Sequence, residues 1–411
     1  MPAPIVAIVS DSASEKYGGE ALQSIQYFRR LRARGITTFL VCHERSKAEL
    51  TETFASAIDF IRFVPDSSLH VALFKISKLL PKRLLVQHLI AWDVQRKAAR
   101  IIRELTRTHG VTLAQQPSPI SPKFPSNLRN AGVPVIIGPM NGSMNYPPGF
   151  GSQESAFGRV LITVAKRVSA ALNWLIPGKS QAAALVVSNQ RTRDALPIKH
   201  QHIYELFDGA IDGANFGSTD RSNRTGPATF LFVGRLVDWK GADLLLKAWK
   251  ITQDAGLAGQ LRIVGDGDER QNLERLTDEL GLRGSVTFPG FATPQQVATE
   301  MRDADVFVSP SFWEAGGSVV LEAMASGLPS VILNWGGPAE CVHPSCAVVI
   351  EPKSRQFVIH EMASAMRQLA ADPARRHQLG EAARQYVQRF DWERKIDAVL
   401  EIYDSVLRQS R

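Results

Sequence analysis

The sequence predicts an α/β protein with two domains, each built on a parallel sheet. The chain has 411 residues, more than one hydrophobic core usually organises, so two domains are expected. Short apolar runs alternate with helical patterns along both halves, which is typical of βαβ units. A stretch at 206–228 that is poor in apolar residues and rich in Gly, Ser, Asn and Asp separates the halves and predicts the boundary.

Each half contains six candidate strands. In the first half they are 5–10, 37–43, 59–64, 111–116, 133–138 and 183–189. In the second half they are 229–234, 260–265, 285–290, 305–310, 329–334 and 347–352. The chain closes on an amphipathic helical pattern. We therefore expect a first domain at 1–205, a second at 206–390, and a closing helix at 391–411.

Composition favours an enzyme of a reducing compartment. The chain is 44% hydrophobic and 21% charged, as ordinary globular enzymes are. Its three cysteines, Cys42, Cys341 and Cys346, are too few and too scattered for a disulfide framework or a zinc site, although Cys341 and Cys346 could pair. No basic region precedes the first apolar run, and no uncharged apolar stretch reaches the ~18 to 20 residues of a membrane span. We expect a cytoplasmic location.

The positive charge is concentrated in the first half. Residues 1–200 hold 26 Lys and Arg against 12 Asp and Glu, a balance of +14, while the remainder carries −6, which together give the net +8. Two basic amphipathic stretches, 74–105 and 159–179, could lie on an anionic membrane surface or pack on the sheet with a solvated cationic face. No recognition module accompanies the charge, so nucleic acid is not expected as a partner.

A pair of glutamates marks a candidate site in the second half. Glu314 follows the strand at 305–310, and Glu322 falls about one turn inside a helix expected to begin near Ser318. Both carboxylates could therefore line one pocket at the amino end of that helix, where backbone N–H groups and the helix dipole favour an anion. Carboxylates accept hydrogen bonds from hydroxyls, so a ligand carrying phosphate and hydroxyls fits. The alternative is one surface carboxylate and one that complements the dipole.

Two cations follow another strand of the same half. Arg235 and Lys240 come after the strand at 229–234 and Gly234. The carboxyl ends of strands border the ligand crevice of an open α/β sheet. Arg can grip a phosphate with two hydrogen bonds, and Lys adds a compact charge. In isolation the two could also be solvated loop cations.

The motifs together resemble family 4 glycosyltransferases of the GT-B fold. Besides the four charged residues, the resemblance includes YGGEALQSIQYFRRLRARG, LRIVGDGDERQNLERL, VTFPGF, MRDADVFVSPS, EAMASGLPSVI, WGGPAE and the closing FDWERK helix. Their order and spacing cover nearly the whole chain. The resemblance implies two Rossmann-like domains facing a cleft, with the closing helix crossing back to the first domain.

The resemblance also implies roles for individual residues. Arg235, Lys240 and Glu314 would be catalytic: the cations would hold the donor diphosphate, and Glu314 would orient the sugar. Glu322 would accept from the ribose hydroxyls. The complete donor-binding set is Gly18, Gly19, Gly234, Arg235, Lys240, Gly265, Phe288, Gly290, Glu314, Gly316, Gly317, Ser318 and Glu322.

The first domain carries an expected acceptor side and one departure from the family. Asn141, Gly142 and Ser143, in the loop at 138–150, resemble an acceptor-side loop but could equally form a plain rigid loop. Gly18 and Gly19 could likewise be an ordinary turn. Many family members have a His at the first-domain cleft, and no equivalent occurs here. His88 and His109 are interpreted as structural or solvated, which leaves the first domain's part in catalysis open.

We expect no metal and no cofactor. The pairs Asp266/Asp268 and Asp303/Asp305 are interpreted as structural, because the first lies in a strand-to-helix turn and the second ends a helix. GDGDER lacks the third glycine of a dinucleotide fingerprint, since Arg270 stands in its place.

The function expected is retaining, hexosyl-type transfer from a nucleotide sugar to a glycan or lipid-linked acceptor in bacterial exopolysaccharide or cell-surface glycan synthesis. The enzyme could be peripheral at the inner face of the plasma membrane. Two alternatives stay open. One is a GT-B nucleotide-sugar epimerase; the other is an inactive relative that acts as a binding partner in glycan assembly.

Overall fold

The computed structural model of the protein describes residues 3–15, 20–67, 84–117, 121–150, 167–213, 216, 224 and 226–410. The chain forms two compact units. Unit 1 comprises 1–143, 157–208 and 393–411, and unit 2 comprises 144–156 and 209–392. The expected boundaries, 205 and 390, compare with 208 and 392 in the structure. Residues 144–156, expected in the first domain, belong to unit 2.

Unit 1 contains one parallel sheet of seven strands in the order β3-β2-β1-β4-β5-β6-β7. The strands are β1 Val6–Ser10, β2 Thr38–His43, β3 Ile61–Val64, β4 Leu113–Gln116, β5 Val135–Met140, β6 Ala184–Val187 and β7 Ile203–Glu205. Strands β1, β2, β4, β5 and β6 are buried along their whole length, as expected of a parallel sheet covered on both faces. The described helices are α1 Glu20–Ala33, α2 Lys47–Thr53, α3 Leu84–His109, α4 at 167–175 and α5 Gln190–Asp194.

Unit 2 contains a second parallel sheet, of six strands in the order β10-β9-β8-β11-β12-β13. The strands are β8 Ala228–Val233, β9 Gly259–Val264, β10 Val286–Gly290, β11 Val306–Ser309, β12 Ser330–Leu333 and β13 Ala347–Ile350. The helices are α6 Ala242–Asp254, α7 Arg270–Glu279, α8 Pro294–Asp303, α9 Ser318–Ala325, α10 Gly336–Glu340, α11 Arg355–Ala371 and α12 Pro373–Tyr386. The core between sheet and helices includes Phe230, Trp249 and Phe312, all fully buried.

The two Rossmann-like sheets confirm the predicted α/β class, and every predicted strand is present. β7 was missed because it has only three residues, none of them fully buried, and so produces no apolar run. The strand order explains where a ligand site can form in unit 2. β8 lies between β9 and β11, so the loops after these neighbouring strands emerge side by side at one edge of the sheet.

The closing helix, α13 (Trp392–Gln409), is anchored in unit 1 by charge. Arg34, in the turn after α1, lies 2.7 Å from the Glu393 carboxylate and 2.8 Å from that of Asp397. Lys395 is buried, and its Nζ donates to the Asp208 carbonyl. Burial lowers the pKa of Lys395 to about 8, with the Asp208 carboxylate opposing the shift. The closing helix is thus held to unit 1 by ion pairs and by a buried hydrogen bond.

Candidate functional site

The loops after β8 and β11 bring Lys240 and Glu314 together. Lys240 ends the short 3₁₀ turn Asp238–Lys240 that follows β8, and Glu314 lies in the loop after β11. The Lys240 Nζ lies 2.7 Å from the Glu314 Oε1, and both side chains are largely buried. Two of the residues selected from sequence as catalytic therefore form one ion pair at the edge of the sheet where ligands bind in open α/β folds.

The second carboxylate oxygen of Glu314 is buried and, in the described part of the chain, unpaired. Within the described residues, the buried Oε2 has no hydrogen-bond partner, while Oε1 pairs with Lys240. An unsatisfied buried carboxylate oxygen costs free energy, on the order of 1–3 kcal/mol or more for a charged group. Such an atom is best explained by a donor that arrives with a ligand, and a sugar hydroxyl is a suitable one.

Backbone contacts fix the two loops against each other. The Phe312 N–H donates to the Trp239 carbonyl at 3.0 Å, which joins the two loops one and two residues before the paired side chains. Gly241 has a φ of +71°, and a Cβ there would lie 2.5 Å from the Pro310 carbonyl oxygen. Only glycine permits this approach. The ion pair is thus held by main chain as well as by charge.

Arg235 is exposed beside this pair. Its guanidinium lies 5.6 Å from the centre of the Trp239 ring, within cation–π range. The following residue, Leu236, is fixed by main-chain hydrogen bonds to the turn after β9: its N–H donates to the Asp266 carbonyl at 2.9 Å, and its carbonyl accepts from Glu269 at 3.0 Å. Arg235 is therefore an exposed cation on a backbone fixed by hydrogen bonds.

The selected glycines let three strand ends approach one another. The Gly265 N–H donates to the Gly290 carbonyl at 2.8 Å, and a Cβ on Gly265 would lie 1.9 Å from the Gly234 carbonyl oxygen. Gly265 also has a φ of +138°. Phe288 of β10 is half-buried against the core, and its carbonyl accepts from Arg270. Gly234, Gly265, Phe288 and Gly290 thus line one edge of the sheet beside Lys240.

The loop after Glu314 leads directly into α9. The Gly337 N–H donates to the Glu314 carbonyl at 2.9 Å, and a Cβ on Gly317 would lie 2.4 Å from the Cys341 Sγ. α9 begins at Ser318, as predicted, with Gly317 as an N-cap that makes no side-chain cap hydrogen bond. The Gly317 carbonyl accepts from the N–H groups of Val320 and Leu321 at 3.0 and 3.1 Å. Among the described residues, no side chain caps the N–H groups of Ser318 and Val319, which Gly316 and Gly317 leave open to an anion.

Glu322 lies inside α9, one turn from its start. It is partly buried, and burial raises the pKa of its carboxyl to about 7. A carboxyl near its midpoint at neutral pH can respond to a ligand that donates hydrogen bonds, because such donors favour the ionised form.

An aromatic cluster that sequence reasoning missed adjoins the ion pair. Trp239 and Trp313 stand immediately before Lys240 and Glu314, and their ring centres lie 5.5 Å apart at 86°. Tyr146, from the segment that joins unit 2, stacks on Trp313 at 5.8 Å and 8°. The sequence signal was a tryptophan directly before each charged residue. The part contributed by Tyr146 had no local signal, since it depends on how residues 144–150 pack.

The expected acceptor-side residues lie in unit 1, at the end of β5. Asn141 is buried: its Nδ2 donates to the Asp208 Oδ1 at 2.8 Å, and its Oδ1 accepts from the Arg191 Nη2 at 3.1 Å. Its amide thus holds the loop in place. Gly142 and Ser143 both have positive φ, +149° and +57°, and a Cβ on Gly142 would lie 3.1 Å from Pro122.

Gly18, Gly19 and the His88 side chain lie outside the described residues. His109 ends α3, and its ring contacts Phe39 at 5.1 Å between centres, which is a packing role.

One aspartate of each Asp pair accepts a hydrogen bond from the backbone. The Asp266 Oδ1 accepts from the Gly267 N–H at 2.7 Å, and the Asp305 Oδ2 accepts from the Thr229 N–H at 2.8 Å. Across the ranges that the structure describes, no three His, Cys, Asp or Glu side chains form a group able to hold a metal. Within the same ranges, no helix combines the length and the apolar character needed to cross a bilayer.

Comparison with known proteins identifies the family of unit 2. Residues 218–386 match the family model described as glycosyl transferases group 1. Unit 2 belongs to the glycosyl transferases group 1 family. The site of this group 1 glycosyltransferase unit lies within the matched residues, except for Tyr146.

Relatives and solved structures extend the likeness. The chain is 40% identical over 125 residues to an uncharacterized glycosyltransferase, MJ1607, of Methanocaldococcus jannaschii, and 34% identical over 174 residues to the lipopolysaccharide core biosynthesis glycosyltransferase LpsD of Rhizobium meliloti. These matches cover 30% and 42% of the chain but only 32% and 48% of the two relatives, less than half of each.

Anabaena HepE in complex with UDP aligns over 98% of this chain and 100% of its own, with a TM-score of 0.68 at 17% identity. The structural likeness shows the fold, which is GT-B, as the resemblance implied.

Proposed function

We propose that the protein is a retaining glycosyltransferase of family 4 that transfers a hexosyl group from a nucleotide sugar to a glycan or lipid-linked acceptor. The observation that carries the proposal is the Lys240–Glu314 pair at the strand ends, with its unpartnered carboxylate oxygen. This arrangement offers a cation to a phosphate and an acceptor to a sugar hydroxyl in adjacent positions. Both requirements belong to one ligand, an activated saccharide.

Each end of the donor has a proposed place in unit 2. Lys240 and Arg235 bind the diphosphate and neutralise the charge that develops on it as the glycosidic bond breaks. The open N–H groups at the start of α9 contribute further donors. Glu314 orients the sugar and Glu322 accepts from the ribose, while the strand edge at Gly234, Gly265, Phe288 and Gly290 borders the base. HepE was solved with UDP, so a uridine diphosphate sugar is the first donor to test.

The acceptor is proposed to be a growing cell-surface glycan. The relative LpsD is named for lipopolysaccharide core biosynthesis. Gly142 and Ser143 remain the proposed acceptor-side contacts of unit 1, with Asn141 fixing their loop through Asp208. Gly18 and Gly19 remain proposed donor contacts. The acceptor hydroxyl attacks the face from which the diphosphate departs, so the new bond keeps the anomeric configuration of the donor.

Metal independence is part of the proposal. Lys240 and Arg235 supply the positive charge that a divalent cation would otherwise supply to the diphosphate. Turnover should therefore be the same after treatment with EDTA and with added Mg²⁺ or Mn²⁺. An activity that disappears with EDTA and returns with either ion would refute this part.

Thermal shift and turnover test the proposal together. The melting temperature should rise with a nucleoside diphosphate or its sugar, screened as UDP, GDP and ADP forms, because a ligand that binds the folded state stabilises it by mass action. Lys240→Ala should lose most of this shift and about 10²- to 10³-fold in turnover. Lys247→Ala is the matched control: Lys247 is half-exposed on α6 and pairs with Asp243 at 3.4 Å.

Wild-type turnover by Lys240→Ala would sink the assignment. Conversion of the donor in the absence of any acceptor would point to an epimerase instead.

We also propose attachment to an anionic membrane through α4. Val168, Trp174 and Leu175 are 51%, 82% and 66% exposed, whereas the polar Ser169 and Asn173 face inward and donate to the Lys123 carbonyl at 2.5 and 2.9 Å. This helix therefore presents its apolar side outward. The exposed Arg167 begins the helix and the exposed Lys123 adjoins it, which suits anionic lipid headgroups.

Flotation with vesicles tests the membrane proposal. Binding to phosphatidylcholine vesicles containing phosphatidylglycerol, but not to phosphatidylcholine alone, is expected at low salt and should weaken as salt rises. Trp174→Ser with Leu175→Ser should abolish it, while Phe291→Ser, at a 78% exposed position of unit 2, should not. Equal flotation of both variants would contradict the role of α4.

A further inference from the structure

The aromatic cluster beside Glu314 has the construction of a binding surface. We call Trp239, Trp313 and Tyr146 the aromatic platform. Trp313 and Tyr146 are 39% and 43% exposed, although both are large apolar rings. They stack with ring planes only 8° apart, and Trp239 meets Trp313 edge to face at 86°. Exposed, ordered rings that adjoin a polar site mark a place where a ligand binds.

Contacts made by the neighbouring residues hold the aromatic platform in place. The Trp335 Nε1 donates to the Asn145 carbonyl at 2.8 Å, which holds the residue before Tyr146. A Cβ on Gly149 would lie 2.8 Å from the Lys353 carbonyl oxygen, so the segment packs closely on unit 2. Phe150 is buried and contacts Phe312, next to Trp313, at 5.1 Å between ring centres. A ligand would therefore meet rings already ordered, which lowers the entropic cost of binding.

The position of the platform selects the class of ligand. Trp313 is joined directly to Glu314, the residue that we propose orients the donor sugar, whereas the proposed base contacts, Phe288 and Gly290, lie at β10, two strands away from β8. A ring bound on the platform is thus next to the sugar end of the donor. A pyranose has an apolar C–H face that packs on an aromatic ring and hydroxyls at its rim that reach a carboxylate.

We propose that the aromatic platform is an acceptor subsite, on which a pyranose ring of the acceptor glycan stacks beside the Lys240–Glu314 pair. The inference rests on the proposed function and adds to it. It assigns specificity for the acceptor to unit 2, including its 144–150 segment. Trp313 and Tyr146 position the acceptor ring and take no part in proton or group transfer.

Fluorine NMR of protein labelled with 5-fluorotryptophan tests the subsite without a known acceptor. The chain has seven tryptophans, and Trp313→Phe identifies the Trp313 resonance by its loss. The probes are the methyl glycosides of glucose, galactose, mannose and rhamnose, added to the protein saturated with UDP. At least one should shift the Trp313 resonance. Glycerol at equal concentration should not, and Trp174, 82% exposed in unit 1, is the internal control for nonspecific effects.

Tyr146→Ala should weaken the apparent affinity for the active glycoside by about 2- to 10-fold, the range expected from losing one aromatic stacking contact. Phe291→Ala should leave it unchanged. In a transfer assay, Tyr146→Ala and Trp313→Phe should raise the KM for acceptor and leave the KM for donor near its wild-type value. If the two rings only supported the fold, the substitutions would lower kcat or the folded fraction without raising the KM for acceptor selectively.

The outcomes separate this inference from the proposed function. If UDP binding depends on Lys240 but no glycoside moves the Trp313 resonance, the acceptor subsite is refuted and the donor site stands. If UDP alone moves it and the glycosides add nothing, the platform binds the nucleotide, and the inference is again refuted. If UDP does not bind at all, the proposed function fails first, and a glycoside shift would then show only a saccharide-binding surface.

Discussion

Removing the Glu322 carboxylate should change how stability depends on pH. Burial raises the pKa of this carboxyl to about 7 from its usual 4.5, so the folded state holds a proton that the unfolded chain releases. Between these two values the folded state binds more protons, and stability must fall as pH rises. The shift is about 2.5 units at 1.36 kcal/mol each, so the loss is on the order of 3 kcal/mol between pH 4.5 and 7.

Glu322→Gln keeps the size of the side chain and removes the titration. Its free energy of unfolding is measured in urea at half-unit steps from pH 4 to 8, with the transition of unit 2 fitted separately. Relative to the wild type, the variant should become more stable by about 3 kcal/mol as pH rises from 4.5 to 7. Glu361→Gln, on the exposed face of α11, is the control for losing any carboxylate.

A stability difference between wild type and Glu322→Gln that does not change from pH 4.5 to 7 would refute the account of a buried carboxyl. The ligand adds a second test. If ribose hydroxyls donate to Glu322, saturating UDP should lower the midpoint of its titration, followed by carboxyl ¹³C NMR.

Two further predictions follow from the fold. Gly265→Ala should destabilise unit 2 by about 3 kcal/mol or more, because its Cβ would lie 1.9 Å from the Gly234 carbonyl oxygen. Gly256→Ala, also at positive φ but with open space around it, should cost only about 1–2 kcal/mol. Equal losses of stability in urea unfolding would contradict the packing argument. Lys395→Met should remove a dependence of folding stability on pH in the alkaline range. The pKa of Lys395 is lowered to about 8 from 10.5, so the wild type should gain on the order of 3 kcal/mol relative to Lys395→Met as pH rises from 8 to 10.5, and a constant difference would count against a buried lysine.

The strands and the charged site could be predicted because short stretches of sequence carry the signal for both. Strands such as β8 and β11 are buried on both faces and so appear as continuous apolar runs. Lys240 and Glu314 each follow such a run, and parallel strands that are neighbours place their carboxyl ends together. The sequence therefore indicated which side chains would meet, although it did not show that they would form an ion pair.

The parts that could not be predicted depend on contacts between distant residues. Residues 144–150 carry no sequence signal that they pack on unit 2, because the contacts that hold them, Asn145 with Trp335 and Phe150 with Phe312, join positions far apart in the chain. Tyr146 was therefore not recognised as part of a site. Asn141 was selected for its place in a glycine-rich loop, and only the structure shows its amide engaged with Asp208.

The ion pair itself explains how the two loops can stay ordered and still bind the proposed donor. Lys240 and Glu314 are both largely buried, so each charge would be costly to leave alone, and at 2.7 Å each offsets the other. A diphosphate brings more negative charge than one carboxylate, so it can draw Lys240 toward itself. The departure of Lys240 would release Oε1 of Glu314, while Oε2 is already without a partner among the described residues. Both oxygens could then accept hydrogen bonds from sugar hydroxyls. Donor binding would thus replace one internal contact by several to the ligand, and because the loops are tied through Trp239 and Phe312, this exchange needs movement of side chains only.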